Sequence, residues 1–277
     1  MRTVRLPSGI EVPALGQGTW FMAERRQPRS EEIAALQHGI DLGMTLIDTA
    51  EMYADGATET LVGEAITSRR SEVFLVSKVY PWNASRRGTK AACEASLRRL
   101  GTDRIDLYLL HWRGSHPFAD TVEAMEQLVD EGKIRHWGVS NLDVDDLDEL
   151  WGVDNGERCQ VDQVLYNLTR RGPEYDLLPW ARGKRMPLMA YSPIEQGQVP
   201  VDGALADVAD KHGATPLQVA LAWVLRQPDV IAIPKSGRRE HVELNRAALD
   251  LVLDEDDLAR LDAEFPVPRR KQPLEML

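Results

Sequence analysis

Short β-branched or apolar runs alternate along the chain with stretches of helical period. Ala14–Gly16, Thr45–Asp48, Val73–Lys78, Ile105–His111, Ile134–Val139, Val161–Leu165, Leu188–Tyr191 and Val230–Ile233 read as strands. Helical patterns fill the gaps, among them Glu31–Leu42, Ala84–Leu100, Val122–Glu131 and Pro216–Arg226. Ser30 and Ser85 stand where N-caps belong. Eight strand–helix units with parallel connections predict a closed (β/α)8 TIM barrel of the α/β class rather than an open doubly wound sheet. Ahead of the first unit, Val4–Leu6, Pro7-Ser8-Gly9 and Ile10–Val12 read as a hairpin within residues 1–13 that closes the bottom of the barrel. No linker or low-complexity tract interrupts residues 1–277, which predicts one domain. The segment 267–277, with its prolines and consecutive basic residues, is expected to be a loose tail.

At 277 residues the chain has the length of such a barrel, about 250 residues. Lys and Arg number 33 against 44 Asp and Glu, a net charge of −11, which argues against a nucleic-acid groove. Cys93 and Cys159 have no neighbouring thiol, so neither a disulfide nor a CxxC metal or redox pair is expected. No run of about 18 apolar residues and no signal-peptide core is readable. The expectation is a cytoplasmic protein with no membrane or nucleic-acid partner and no metal; HExxH is absent.

In a parallel barrel, polar residues at strand C-termini face the active site. Asp48 ends LIDTAEMY's strand, with Tyr53 five residues on; Lys78 ends VFLVSK; His111 ends IDLYLLH. Each has a bland reading: an N-cap for Asp48, a surface ion pair for Lys78, a packed ring for Tyr53 and a structural imidazole for His111. As a set they suit carbonyl reduction. Tyr53 can donate a proton to a developing alkoxide, and a nearby Lys78 ammonium is expected to lower its pKa from about 10. Asp48 would keep Lys78 charged, and His111 would fix the carbonyl oxygen.

These segments, with LVSKVY, LVDEGKIRHWGVSN and AIPKSG, resemble the motifs of the aldo-keto reductase family in the family's order, over almost the full chain. The closest flavour is the bacterial branch that reduces small aldehydes such as 2-oxoaldehydes. The resemblance implies that Asp48, Tyr53, Lys78 and His111 are the catalytic tetrad, with Tyr53 as general acid in NADPH-dependent reduction of a small aldehyde or ketone. It also implies a monomer.

GQGTWF lacks the third Gly of a dinucleotide fingerprint, and no tyrosine has Lys four residues later, so a Rossmann site is not expected. By resemblance the cofactor lies across the barrel mouth. Thr19, Trp20 and Asp48 border it; Ser140, Asn141 and Gln163 hold the nicotinamide amide; Tyr191 stacks on its ring. Ser192, Pro193, Ile194, Gln196 and Gly197 cover the pyrophosphate. Ile233, Pro234, Lys235, Ser236, Gly237 and Arg238 form an anion site before a helix, with three cations in five residues counting Arg239. Two positions depart from the family pattern: His241 replaces an Arg that grips the 2′-phosphate, and Leu244 replaces a Glu that touches adenine, while Asn245 fits. A histidine is only partly charged at neutral pH, so Arg238 is expected to help.

Trp20, Trp82 and Trp112, with Tyr53 and His111, are expected to line the substrate pocket. The short tail predicts an open, permissive site. Two rival functions carry distinct signatures. A cofactor-sensing regulatory subunit would bind NADPH with little turnover. A Schiff-base aldolase would need Lys78 neutral and accessible.

Overall fold

The computed structural model describes residues 1–277. Its eight-stranded parallel sheet runs in the order β10-β9-β8-β7-β6-β5-β4-β3. These strands are β3 (Gln17–Gly18), β4 (Leu46–Asp48), β5 (Phe74–Val79), β6 (Ile105–Leu110), β7 (Ile134–Ser140), β8 (Asp162–Leu165), β9 (Leu188–Tyr191) and β10 (Val230–Ala232). The two edges meet. Leu15 bridges Ala232 and Gly18 bridges Lys235, both in parallel, with Gly16 N–H donating to Ala232 O at 2.9 Å. The sheet is therefore closed, and the TIM-barrel expectation holds.

Closure explains the shift of the first barrel strand from Ala14–Gly16 to Gln17–Gly18. The earlier residues pair with β10 and the later ones with β4, so no single ladder spans both. It also explains the glycines. A Cβ on Gly16 would lie 2.6 Å from Leu46 Cδ2, and one on Gly18 2.6 Å from Ile233 O. The last and second strands approach too closely for a side chain there.

The outer layer comprises α1 (Arg29–Asp41), α2 (Ala57–Ile66), α3 (Arg86–Leu100), α4 (Phe118–Asp130), α5 (Val144–Trp151), α6 (Leu177–Lys184), α7 (Gly203–His212), α8 (Pro216–Leu225), α9 (Arg239–Ala247) and α10 (Glu255–Glu264). Ser85 caps α3 by accepting from Gly88 N–H, as its position predicts. Ser30 does not cap α1, which starts one residue earlier, after Pro28. Pro216 at the first position of α8 follows Thr215, which makes a capping box with Gln218. Buried apolar residues of strands and helices merge into one continuous core.

The hairpin forms from β1 (Thr3–Arg5) and β2 (Glu11–Pro13), turning at Gly9 with φ 86°. It packs Val4, Leu6 and Val12 into the core. Ser8 N–H donates to Gln160 Oε1, and Arg2 Nη1 to Gln227 O. Gln160 precedes β8 and Gln227 precedes β10, which sets the hairpin at the N-terminal end of the barrel.

The tail over 267–277 has no helix or strand, yet it is tied down. Lys271 faces Asp143, Asp145 and Asp176, Glu275 pairs with Arg170, and Leu274 packs against the core. These contacts hold a largely exposed segment beside the C-terminal ends of the strands.

Candidate active site

Every polar residue singled out at a strand end lies at the C-terminal face. Asp48 ends β4, Lys78 is the penultimate residue of β5, and His111 follows β6. Ser140 ends β7, Gln163 lies within β8 and Tyr191 ends β9. Tyr53 comes from the β4–α2 connection, where Ala54 and Asp55 both adopt left-handed φ near 50° before Gly56 at 84°. Such a run is unfavourable for residues with a Cβ. It turns the chain sharply and brings the phenol back over the barrel.

Lys78 is fully buried and its Nζ makes three contacts, to Asp48 Oδ2 at 2.8 Å, Thr49 O at 2.9 Å and Tyr53 Oη at 3.1 Å. Three acceptors match the three N–H bonds of an ammonium. The other Asp48 oxygen accepts from Gln163 Nε2 at 2.7 Å. Burial draws the Asp48 pKa up and the Lys78 pKa down, each opposed by the partner's charge. Because Lys78 donates to Tyr53, the phenol's own proton is left for the cavity. The ring of His111 meets Tyr53 edge-on at 6.0 Å, and its buried Nδ1 has no partner. Burial and the Lys78 charge hold the imidazole well below its ordinary pKa, so it is neutral.

One expectation is corrected here. Tyr53 does not titrate below the phenol range: burial, then the Asp48 charge, holds its pKa well above 10.0. Desolvation disfavours phenolate, and the nearby Asp48 charge acts in the same direction. The phenol stays protonated, which is the form an acid must start in.

A cavity of about 540 Å³ opens in front of these groups and continues to the start of α9. Tyr53, His111, Trp112, Trp20 and Asp48 border one end. Thr19, Ser140, Asn141, Gln163 and Tyr191 form the middle wall. They are cross-linked: Ser140 Oγ donates to Gln163 O, Tyr191 Oη to Asn141 Oδ1, and Asn141 Nδ2 to His111 O. Asn141 has φ 58°, so the amide is held in a strained backbone. Ser192, Pro193, Ile194, Gln196 and Gly197 border the cavity along the β9–α7 loop, and Ile233 to Arg238 with His241 line its far end.

Two residues expected at the cavity do not line it. Trp82 is 61% exposed; it stacks on Tyr80 at 4.0 Å and meets Trp112 edge-on, so only Trp112 reaches the pocket. Asn245 lies one helical turn beyond His241 on α9 and does not border the cavity. Lys78 is likewise absent from the cavity wall, sealed behind Tyr53, so no substrate carbonyl can reach it as an aldolase would require.

Phe21, Arg26, Gln27, Met52, Leu217, Met276 and Leu277 also line the cavity and were not foreseen. A basic doublet at Arg25-Arg26 beside GTWF was the one local signal. Met276 and Leu277 carried none, and their presence makes the mouth less open than the short tail suggested.

The cavity fits a dinucleotide cofactor on this protein's own features. It has the volume of a small-molecule site. Lys235 is half-buried, its pKa lowered by that burial, and forms no ion pair. A Cβ on Gly237 would come within 2.0 Å of the Gln27 side-chain amide, so the two loops at the far end meet backbone to side chain.

The sequence pattern of the Aldo/keto reductase family matches residues 14–264. The chain belongs to this family. It is 52% identical to methylglyoxal reductase YeaE of Escherichia coli over 100% of this chain and 99% of that one. Glyoxal reductase of Bacillus subtilis is 37% identical, covering 94% and 92%. Among solved structures, an aldo/keto reductase from Klebsiella pneumoniae in complex with NADP and acetate superposes with a TM-score of 0.97 at 53% identity, over 100% and 99% of the two chains. This aldo-keto reductase is therefore an oxidoreductase, similar to the bacterial small-aldehyde reductases. No helix of the protein is long and apolar enough to cross a membrane.

Proposed function

We propose that the protein is an NADPH-dependent reductase of small aldehydes and ketones, with Tyr53 as the general acid. NADPH, when bound, supplies the hydride that adds to the carbonyl carbon. The observation that carries the reading is the Lys78–Tyr53 hydrogen bond of 3.1 Å, which occupies an oxygen lone pair of the phenol and directs its proton to the cavity. As negative charge grows on the carbonyl oxygen, Tyr53 donates that proton, and Lys78 stabilises the phenolate left behind. Neutral His111 holds the oxygen in place from the other side of the ring pair. Asp48 orients Lys78 and does not touch the substrate.

The cofactor's extended form matches the cavity. Ser140, Asn141 and Gln163 offer amide and hydroxyl groups for a carboxamide, and the half-exposed Tyr191 ring offers a stacking face. Lys235, Ser236 and Arg238 precede α9 and suit a phosphate. The likeness to a methylglyoxal reductase and a glyoxal reductase points to 2-oxoaldehydes as the first substrates to try. The test is loss of NADPH absorbance with methylglyoxal, glyoxal and larger aldehydes, with NADH in parallel. Turnover with NADPH on small aldehydes is expected. Tight NADPH binding without turnover on any of them would refute catalysis in favour of a sensing role.

A further inference from the structure

The far end of the cavity holds more positive charge than the loop before α9 supplies. Arg26, from the β3–α1 loop, lines the same cavity as Lys235, Arg238 and His241. Its loop is pinned at three points. The fully buried Met22 accepts through its carbonyl from Thr58 Oγ1 at 2.8 Å, and Ala23 N–H donates to Glu32 Oε2 at 3.0 Å. The Gln27 amide, in the orientation that satisfies both neighbours, donates to Gly237 O at 3.0 Å and accepts from Arg238 Nε at 2.9 Å. Phe21, Ala23 and Arg25 all have φ between 60° and 67°, a strained path held by these anchors.

The Arg26 guanidinium lies over the Phe21 ring at 4.1 Å, and Phe21 stacks on Trp20 at 4.3 Å. Stacking holds the plane of the fork while leaving its N–H edge free. Its one carboxylate partner, Glu24, stands 3.5 Å away, with both side chains substantially exposed. Such a pair is weak and is readily exchanged for a phosphate. Arg26 and Lys235 also repel one another across the site, with the buried Glu32 as the main opposing charge. Arg26 and Lys235 share one cavity, with only the loose Glu24 pair and the buried Glu32 opposing them, an arrangement suited to binding a further anion.

We infer that Arg26 is a specificity-determining residue of this site: together with Lys235 and Arg238 it binds the phosphomonoester that distinguishes NADPH from NADH. It does what His241, in the position where the resemblance expects an arginine, does less strongly. The inference rests on the NADPH reading and adds a second loop to the phosphate site.

The test is equilibrium binding by quenching of tryptophan fluorescence, with NADPH, NADH and adenosine 2′,5′-bisphosphate as ligands, on wild type and Arg26→Gln. Loss of a charge-assisted, forked contact should weaken NADPH and the bisphosphate roughly 10- to 100-fold and leave NADH unchanged. Arg26 is exposed, so the variant is expected to fold, and an unchanged Tm checks it. Unchanged NADPH affinity overturns the inference, as does an equal loss for NADPH and NADH, which would put Arg26 on a part both cofactors share. Wild type that binds none of the three ligands overturns the cofactor reading itself, and this inference with it.

Discussion

Replacing Tyr53 with phenylalanine removes one oxygen and leaves almost everything else in place. The ring keeps its edge contact with His111 at 6.0 Å and its position under Lys78, whose Nζ is 4.8 Å from the ring centroid. Lys78 keeps Asp48 Oδ2 and Thr49 O and loses one partner of three. A lost hydrogen bond to a charged group costs about 1–3 kcal/mol. For a chain of this size that lowers Tm by about 2–4 °C per kcal/mol. The catalytic loss should be larger, since general acid catalysis contributes roughly 10²- to 10⁴-fold, or about 3–5 kcal/mol of barrier. The assay is single-turnover reduction of methylglyoxal at saturating NADPH, beside NADPH titration of both proteins. We expect kcat to fall by that factor with the Kd for NADPH unchanged. A variant that folds, binds NADPH and turns over within about tenfold of wild type would refute Tyr53 as the acid.

Three further predictions follow from burial. His111 titrates below its ordinary range, so its contribution to stability is complete above pH about 6.5 and is lost as pH falls, by up to about 1.4 kcal/mol per pH unit. His111→Gln should flatten the pH dependence of the urea midpoint on the acid side; identical slopes would count against a buried neutral imidazole. Asp162 on β8 has the opposite sign. It is fully buried, neither oxygen reaches good hydrogen-bond geometry, and burial holds its carboxyl well above the usual range although the Leu142 N–H opposes the shift. Its contribution is present below the unfolded carboxylate value of about 3.9 and is lost as pH rises through the folded one. Asp162→Asn is therefore expected to raise Tm at neutral pH, with the gain disappearing near pH ~4; no gain at neutral pH would contradict the buried-acid reading. Trp112→Ala should raise KM for apolar aldehydes about tenfold by removing buried contact area, whereas Trp82→Ala should leave KM unchanged. The reverse order would return Trp82 to the pocket.

Much of the site was legible because the relevant signals are local. A polar residue ending an apolar run is visible without coordinates, and in a parallel barrel that position faces the active site, which is how Asp48, Lys78 and His111 emerge. The Lys235-Ser236-Gly237-Arg238 segment stands out for the same reason, as a cationic cluster on an acidic chain. Neighbouring aromatic residues look alike in sequence, and only packing decides that Trp82 stacks on Tyr80 while Trp112 borders the cavity.

The sequence by itself determined the number and order of strand–helix units, the hairpin before them and the strand ends that carry chemistry, since hydrophobic period and chain punctuation are properties of neighbouring residues. Only the tertiary structure decided where the tail runs, that Arg26 shares a cavity with Lys235 and that Lys78 is sealed behind Tyr53. It also decided the sign of the Tyr53 shift. Desolvation is the larger cause of that shift and depends on atoms that the closed barrel gathers from distant parts of the chain, so the sign cannot be read from the segment in which Tyr53 stands.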